Sequence, residues 1–137
     1  MNYSRRDLGL LPLVAVAAAG TASAGTPLPS KTYRFEDLTV KGKSRAVLDG
    51  ETHSGFAIDI HITELGPGEA PHPPHHHVHE EMVMIHEGTL EVTISGKSVK
   101  IGPGSTAYVA SNEEHGWRNV GTTRALYFVL ALGRVKA

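Results

Sequence analysis

An all-β fold, a sandwich or barrel, is what this sequence predicts, and three observations carry the prediction. From Tyr33 onward, short β-rich runs recur about every ten residues with turn residues between them. Several of these runs alternate apolar and polar positions, and helical periodicity is nowhere sustained. The composition agrees: 15 Gly and 8 Pro in 137 residues supply many turns, while 40% hydrophobic and 20% charged residues are ordinary for a globular chain. A chain of this length is expected to form one domain around one core.

Taken in order, residues 1–24 read as an address. Ser4-Arg5-Arg6-Asp7-Leu8 precedes the apolar run from Leu8 to Ala19, and Ala22-Ser23-Ala24 follows as a cleavage site. The paired arginines resemble a twin-arginine export signal. The apolar run, broken by Pro12, falls short of the roughly 20 residues that span a bilayer. The expectation is cleavage near Ala24, a periplasmic or secreted protein with no membrane anchor, and one domain over 25–137. Residues 25–31, with two prolines, form a leader strand or a mobile arm. Phe56, Ile58, Ile60 and Ile62 then alternate with Ala57, Asp59, His61 and Thr63, which assigns the isoleucines to the core and Asp59 and His61 to the outside. Glu81, Val83 and Ile85 alternate with Met82, Met84 and His86, the first set inward. Leu90, Val92 and Ile94 form another inward set, and Ser95-Gly96-Lys97-Ser98 makes a tight hairpin. Gly102-Pro103-Gly104 is a second turn. The run from Ala125 to Leu132 is apolar at every position and needs cover on both faces, from another sheet or a second subunit; with the outward methionines, it predicts a homodimer.

Several chemistries are excluded. The net charge is -1, with 13 basic and 14 acidic residues and no basic cluster, so no nucleic-acid partner is expected. Without cysteine there are no disulfides, thiolate sites or cysteine nucleophiles. His79-Glu80-Glu81-Met82-Val83 opens like a zinc-protease helix but has Val83 where the second ligand belongs. Gly102 to Ala107 imitates a dinucleotide-binding turn, yet Tyr108-Val109 continues a strand. No Gly-x-Ser-x-Gly elbow occurs. What remains is histidine: nine in all, six of them between positions 72 and 86.

The segment Pro71-His72-Pro73-Pro74-His75-His76-His77-Val78-His79-Glu80-Glu81 favours extended backbone, because each proline biases the residue before it away from the helical region. A strand beginning near Pro74 would point His75 and His77 the same way. A straight strand would separate His75 from Glu81 by roughly 20 Å, too far for one metal ion, so the chain must bend between His77 and Glu81. His79 falls in that bend and is not expected to be a ligand. His72, His76 and His79 are assigned to solvent or to structure, and His53 to a loop. His115 is the only histidine after position 86.

Here the sequence resembles a known family. His75-x-His77, three residues, Glu81, six residues and Gly88 is similar to the first conserved motif of the cupins. Gly104, five residues, Ala110-Ser111-Asn112, two residues, His115, three residues and Asn119 is similar to the second. The usual Pro and Gly of the second motif are Ala110 and Asn112 here, and Gly68 lies one residue further from His75 than the commonest spacing. The resemblance implies a double-stranded β-helix, the jelly roll, that commonly dimerises. It implies one divalent transition metal, Fe, Mn, Ni, Cu or Zn, on His75, His77, Glu81 and His115, and the donor types do not choose among these metals. It further implies a broad menu: dioxygenases of aromatic or small organic substrates, decarboxylases, isomerases, lyases and sugar or storage binding proteins, among which fold does not select. The leading expectation is a metalloenzyme of oxygenase type acting on a small organic molecule, with Glu81 as ligand or base; the alternative is a non-catalytic periplasmic module binding a metal or small ligand. Tyr108, Trp117 and Tyr127 are candidates to line the site.

Overall fold

Residues 26–133 are described by a computed structural model, in which the alternating runs become nine strands and no α-helix forms. They are β1 (Val40–Lys41), β2 (Ser44–Glu51), β3 (Ala57–Leu65), β4 (Glu80–Glu87), β5 (Leu90–Ile94), β6 (Lys97–Ile101), β7 (Thr106–Val109), β8 (His115–Asn119) and β9 (Ala125–Leu132). A single 3-10 turn, Phe35–Asp37, precedes β1. The export-signal expectations concern residues 1–24 and lie outside the described residues.

Every named pair of strands is antiparallel. One sheet has the order β1-β2-β3-β9-β4-β7 and the other β6-β5-β8. The apolar run of β9 explains its place in the middle of the larger sheet, where β3 and β4 flank it over nearly its whole length. Its inward residues Ala125, Tyr127, Val129 and Ala131 are buried, and they face Leu90, Val92 and Trp117 of the smaller sheet. Val83 and Ile85 complete the inner layer from β4, as their alternation predicts. Each such aliphatic side chain contributes roughly 1.5 to 3 kcal/mol by leaving water, so this layer holds the sheets together.

Turn chemistry fits the connections. Ser95 and Gly96 both adopt positive φ, 47° and 78°, the tight hairpin conformation that matches strand twist. Ser105 N–H donates to the Gly102 carbonyl across the second turn. The N-terminal arm lies along β2: Leu28 N–H donates to the Glu51 carbonyl at 2.8 Å, and its side chain fills the space over Gly50.

The proline-rich segment is extended, as expected, but it is not a regular strand. It runs beside β8 and is tied to it at both ends. Gly68 and Glu69 exchange hydrogen bonds with Asn119, and His75 exchanges two with His115 at 3.0 and 2.9 Å. Between these ties stand Pro71, Pro73 and Pro74, which have no N–H to donate, so the ladder is interrupted. The consequence is positional: His75 is pinned directly opposite His115.

Candidate metal centre

Two strand beginnings and the tethered segment converge at one end of the two facing sheets. Glu81 is the second residue of β4 and His115 the first of β8, while His75 and His77 arrive on the tethered segment. The loop before β8 closes over them: Asn112 takes φ of 61° and its N–H donates to the His77 carbonyl at 2.8 Å. Asn tolerates this left-handed conformation, so Asn112 serves where the resembled motif has Gly.

Ligand nitrogens of His75, His77 and His115 lie within 4.8 Å of one another. The Glu81 carboxylate reaches two of them, with Oε2 at 3.2 Å from His115 Nε2 and Oε1 at 3.4 Å from His77 Nε2. Hydrogen bonds set the tautomers. His77 Nδ1 donates to the His79 carbonyl and His115 Nδ1 donates to the Glu113 carbonyl, each at 2.8 Å. In a neutral imidazole so held, Nε2 carries the lone pair. Burial, then the neighbouring His72, His115 and His77, hold His75 below its ordinary pKa, toward the neutral form. His75 Nδ1 and His77 Nε2 are buried without a hydrogen-bond partner. A buried lone pair left unmatched costs about 1 to 3 kcal/mol, and a metal ion would satisfy both at once. The donor set therefore fits a metal that prefers imidazole and carboxylate.

His79 comes closer than the bend argument expects. Its ring stacks on His77 with centroids 3.6 Å apart, and its Nε2 lies 3.4 Å from Glu81 Oε1. His77, His79 and Glu81 thus form a second, overlapping group able to hold a metal ion. His72 meets His75 edge-on at 4.2 Å, His76 is exposed, and His53 is exposed in a loop.

Two expectations are corrected. Asp59 and His61 do not face outward. Direct partners in antiparallel strands share a face, and His61 pairs with Val129, Thr63 with Tyr127 and Leu65 with Ala125, all buried inward residues. It is Ile58, Ile60 and Ile62 that face out, beside Leu132, Leu130 and Phe128. Leu65 shares the parity of His61 and was the signal available in the sequence. Tyr108 is also misplaced: it pairs with Met82 on the outer face and is 58% exposed. Trp117 and Tyr127 do line the interior. Trp117 stacks at 5.7 Å from His115 and donates from Nε1 to the Tyr127 hydroxyl at 2.9 Å.

Next to the histidines, between the sheets, lies a cavity of about 530 Å³ lined by Glu81, His72, Trp117 and Tyr127 and, from the opposite side, by His61 and Thr63. Lys43, at its rim, pairs with Glu69 at 2.9 Å. The arrangement can hold a metal at one end and a small molecule beside it.

Residues 61–131 match the family described as Cupin domain. No curated protein matches the chain in sequence. Among solved structures, an RmlC-like cupin from Shewanella frigidimarina is similar over 78% of this chain and 95% of its own, with 17% identity and a TM-score of 0.60. KdgF from a Halomonas species is 18% identical over 71% of this chain and 86% of its own, at 0.57. The polyketide cyclase RemF from Streptomyces resistomycificus is 18% identical over 77% and 81%, also at 0.57. Identities this low speak for fold alone, and the shared fold is the antiparallel jelly roll expected from the sequence.

Proposed function

From the cupin family, to which this chain belongs by the match over residues 61–131, we propose a mononuclear metalloenzyme of oxygenase type acting on a small organic molecule. His75, His77, Glu81 and His115 would hold one divalent transition metal. The observation that carries this reading is the pair of buried nitrogens, His75 Nδ1 and His77 Nε2, left without hydrogen bonds beside the Glu81 carboxylate. When bound, the metal supplies Lewis-acid or redox chemistry. The chain's own residues do the rest. The His79 and Glu113 carbonyls aim the His77 and His115 rings; Trp117 and Tyr127 line the cavity beside them; Glu81 would serve as a ligand or as the group that accepts a proton. The similar structure named as a polyketide cyclase agrees with a small-molecule ligand.

The second reading is a non-catalytic module that binds a metal or small ligand, favoured by the apolar inner residues Val83, Ile85, Leu90 and Val92. Metal analysis of the full-length protein, with oxygen uptake against a panel of catechols, separates the two. Stoichiometric metal with oxygen uptake supports the enzyme; metal without uptake supports the module; no metal sinks the enzyme and leaves only a module for a small ligand. His77→Ala should lose most of its metal, whereas His79→Ala should keep it. Equal losses would move the ion to the His77, His79 and Glu81 group. N-terminal sequencing of protein from its own host should begin at Gly25 if the leader is cleaved.

A further inference from the structure

The inward turn of Asp59 and His61 puts a polar pair where a β-sheet core is ordinarily apolar. His61 Nδ1 lies 2.9 Å from Asp59 Oδ1, and both side chains are half-buried. With Asp59 ionised, Nδ1 donates and Nε2 is left as the acceptor of the ring. His61 lines the same cavity as Glu81. Asp59 and Glu81 sit on one row of the sheet, each paired with Ala131, one from either side. Two strand spacings separate their backbones by roughly 10 Å, and the cavity that His61 and Glu81 line, about 530 Å³, has room for a ring-sized molecule.

We propose that the cavity binds a small neutral molecule bearing an acidic hydroxyl, a phenol or enol, and that His61, held by Asp59, takes the proton of that hydroxyl. This rests on the metal centre above as the opposite pole of the cavity. The acceptor at His61 selects the ligand class: Asp59 behind the ring stabilises the imidazolium, and a ligand that arrives already ionised has no proton to give to Nε2. The cation at the rim, Lys43, is engaged by Glu69. In the transfer the ligand O–H bond breaks, its electron pair stays on oxygen, and an N–H bond forms at His61 Nε2. The imidazolium so formed lies against the Asp59 carboxylate, the orientation that makes a histidine an effective base. His72, Lys43, Glu81 and Tyr127 are the other titratable groups facing the cavity. Trp117 and Tyr127 supply flat apolar wall for an aromatic or conjugated ring.

The test is calorimetric titration of the full-length, zinc-loaded protein with catechol, which is uncharged at neutral pH, in two buffers of different ionisation enthalpy, which counts protons released per ligand bound. Zinc is redox-silent and leaves the ligand intact. Wild type should retain on His61 a proton that His61→Gln releases to the buffer, so the variant should release one more proton per ligand and bind about tenfold more weakly. Asp59→Asn should weaken binding less, and the double variant no more than His61→Gln alone, since Asp59 acts through His61. An unchanged proton count overturns the proposal whatever the affinity, because a purely structural role would not hold a proton. Failure of wild type to bind the ligand up to its solubility also overturns it. Zinc content is measured on the same samples. If wild type holds no zinc, the metal reading fails by itself, and the proton count on the unloaded chain still decides the role of His61.

Discussion

Tyr127 is the largest fully buried side chain among the described residues, and burial is the main reason its phenol is pushed up to about 12. Hydrogen bonds from Trp117 and Thr63 only partly offset this. The folded protein therefore keeps a proton that the unfolded chain releases near 10, and stability should fall as pH rises from about 10 to about 12. A difference absorbance titration of wild type against Tyr127→Phe should show this phenolate only near pH 12; its appearance near 10 would mean an open interior. At the same scale, the convergence of His75, His77, Glu81 and His115 was legible through the motif resemblance, which sets particular donor types at particular spacings. Asn119 belonged to the same motif, but its task was not legible. Buried, it donates from Nδ2 to the Leu65 and Thr123 carbonyls and accepts from Gly121 N–H, tying the loop between β8 and β9 to the end of β3. A partner as distant as Leu65 leaves no mark in local sequence. The closeness of His79 to Glu81 escaped for a similar reason: it depends on how sharply the bend turns, which spacing does not state.

Strands β4 and β9 meet at Gly88, where an element-scale constraint falls on one position. An added Cβ there would lie 2.6 Å from Ala125 Cα and 2.7 Å from the Arg124 carbonyl, and φ is +81°. Backbone cannot yield as a flexible side chain can. Gly88→Ala should cost about 3 kcal/mol in urea unfolding, combining the strained φ with overpacking. Gly96→Ala, with φ of +78° but open space, should cost only about 1 kcal/mol. Equal costs would show that conformation alone matters at Gly88. The face of β3 was misread because both of its faces are apolar in part. Ile58, Ile60 and Ile62 look like a core stripe; Leu65 hints at the opposite phase, and register against Val129, Tyr127 and Ala125 establishes that His61, Thr63 and Leu65 point inward. Alternation reports a period; which phase is buried depends on the neighbour. For β4 no such ambiguity arose, since Val83 and Ile85 face a histidine and a methionine on the other side.

Over the whole molecule, the outer face of the larger sheet is the part the fold leaves least explained by its own packing. Met82 lies between Tyr108 and Leu130, and Met84 between Thr106 and Phe128, with Phe56 and Leu132 exposed nearby. A contiguous apolar face of this kind suits a second copy of the chain. We expect a dimer in sedimentation at micromolar concentration, converted to monomer by Met82→Glu; a monomeric wild type would refute it. The overall architecture was legible from strand spacing and turn residues, but sheet order was not, because nothing local says that β9 slots between β3 and β4. That order has a bearing on how the protein is made. A ribosome delivers the middle of the sheet last, so β3 and β4 emerge with their facing edges open and cannot satisfy them until β9 follows. At about 5 to 20 residues per second, those edges stand exposed for seconds, long enough to find a neighbouring nascent chain. The larger sheet therefore closes only once β9 has emerged, and until then its open edges depend on whatever keeps unfinished chains apart.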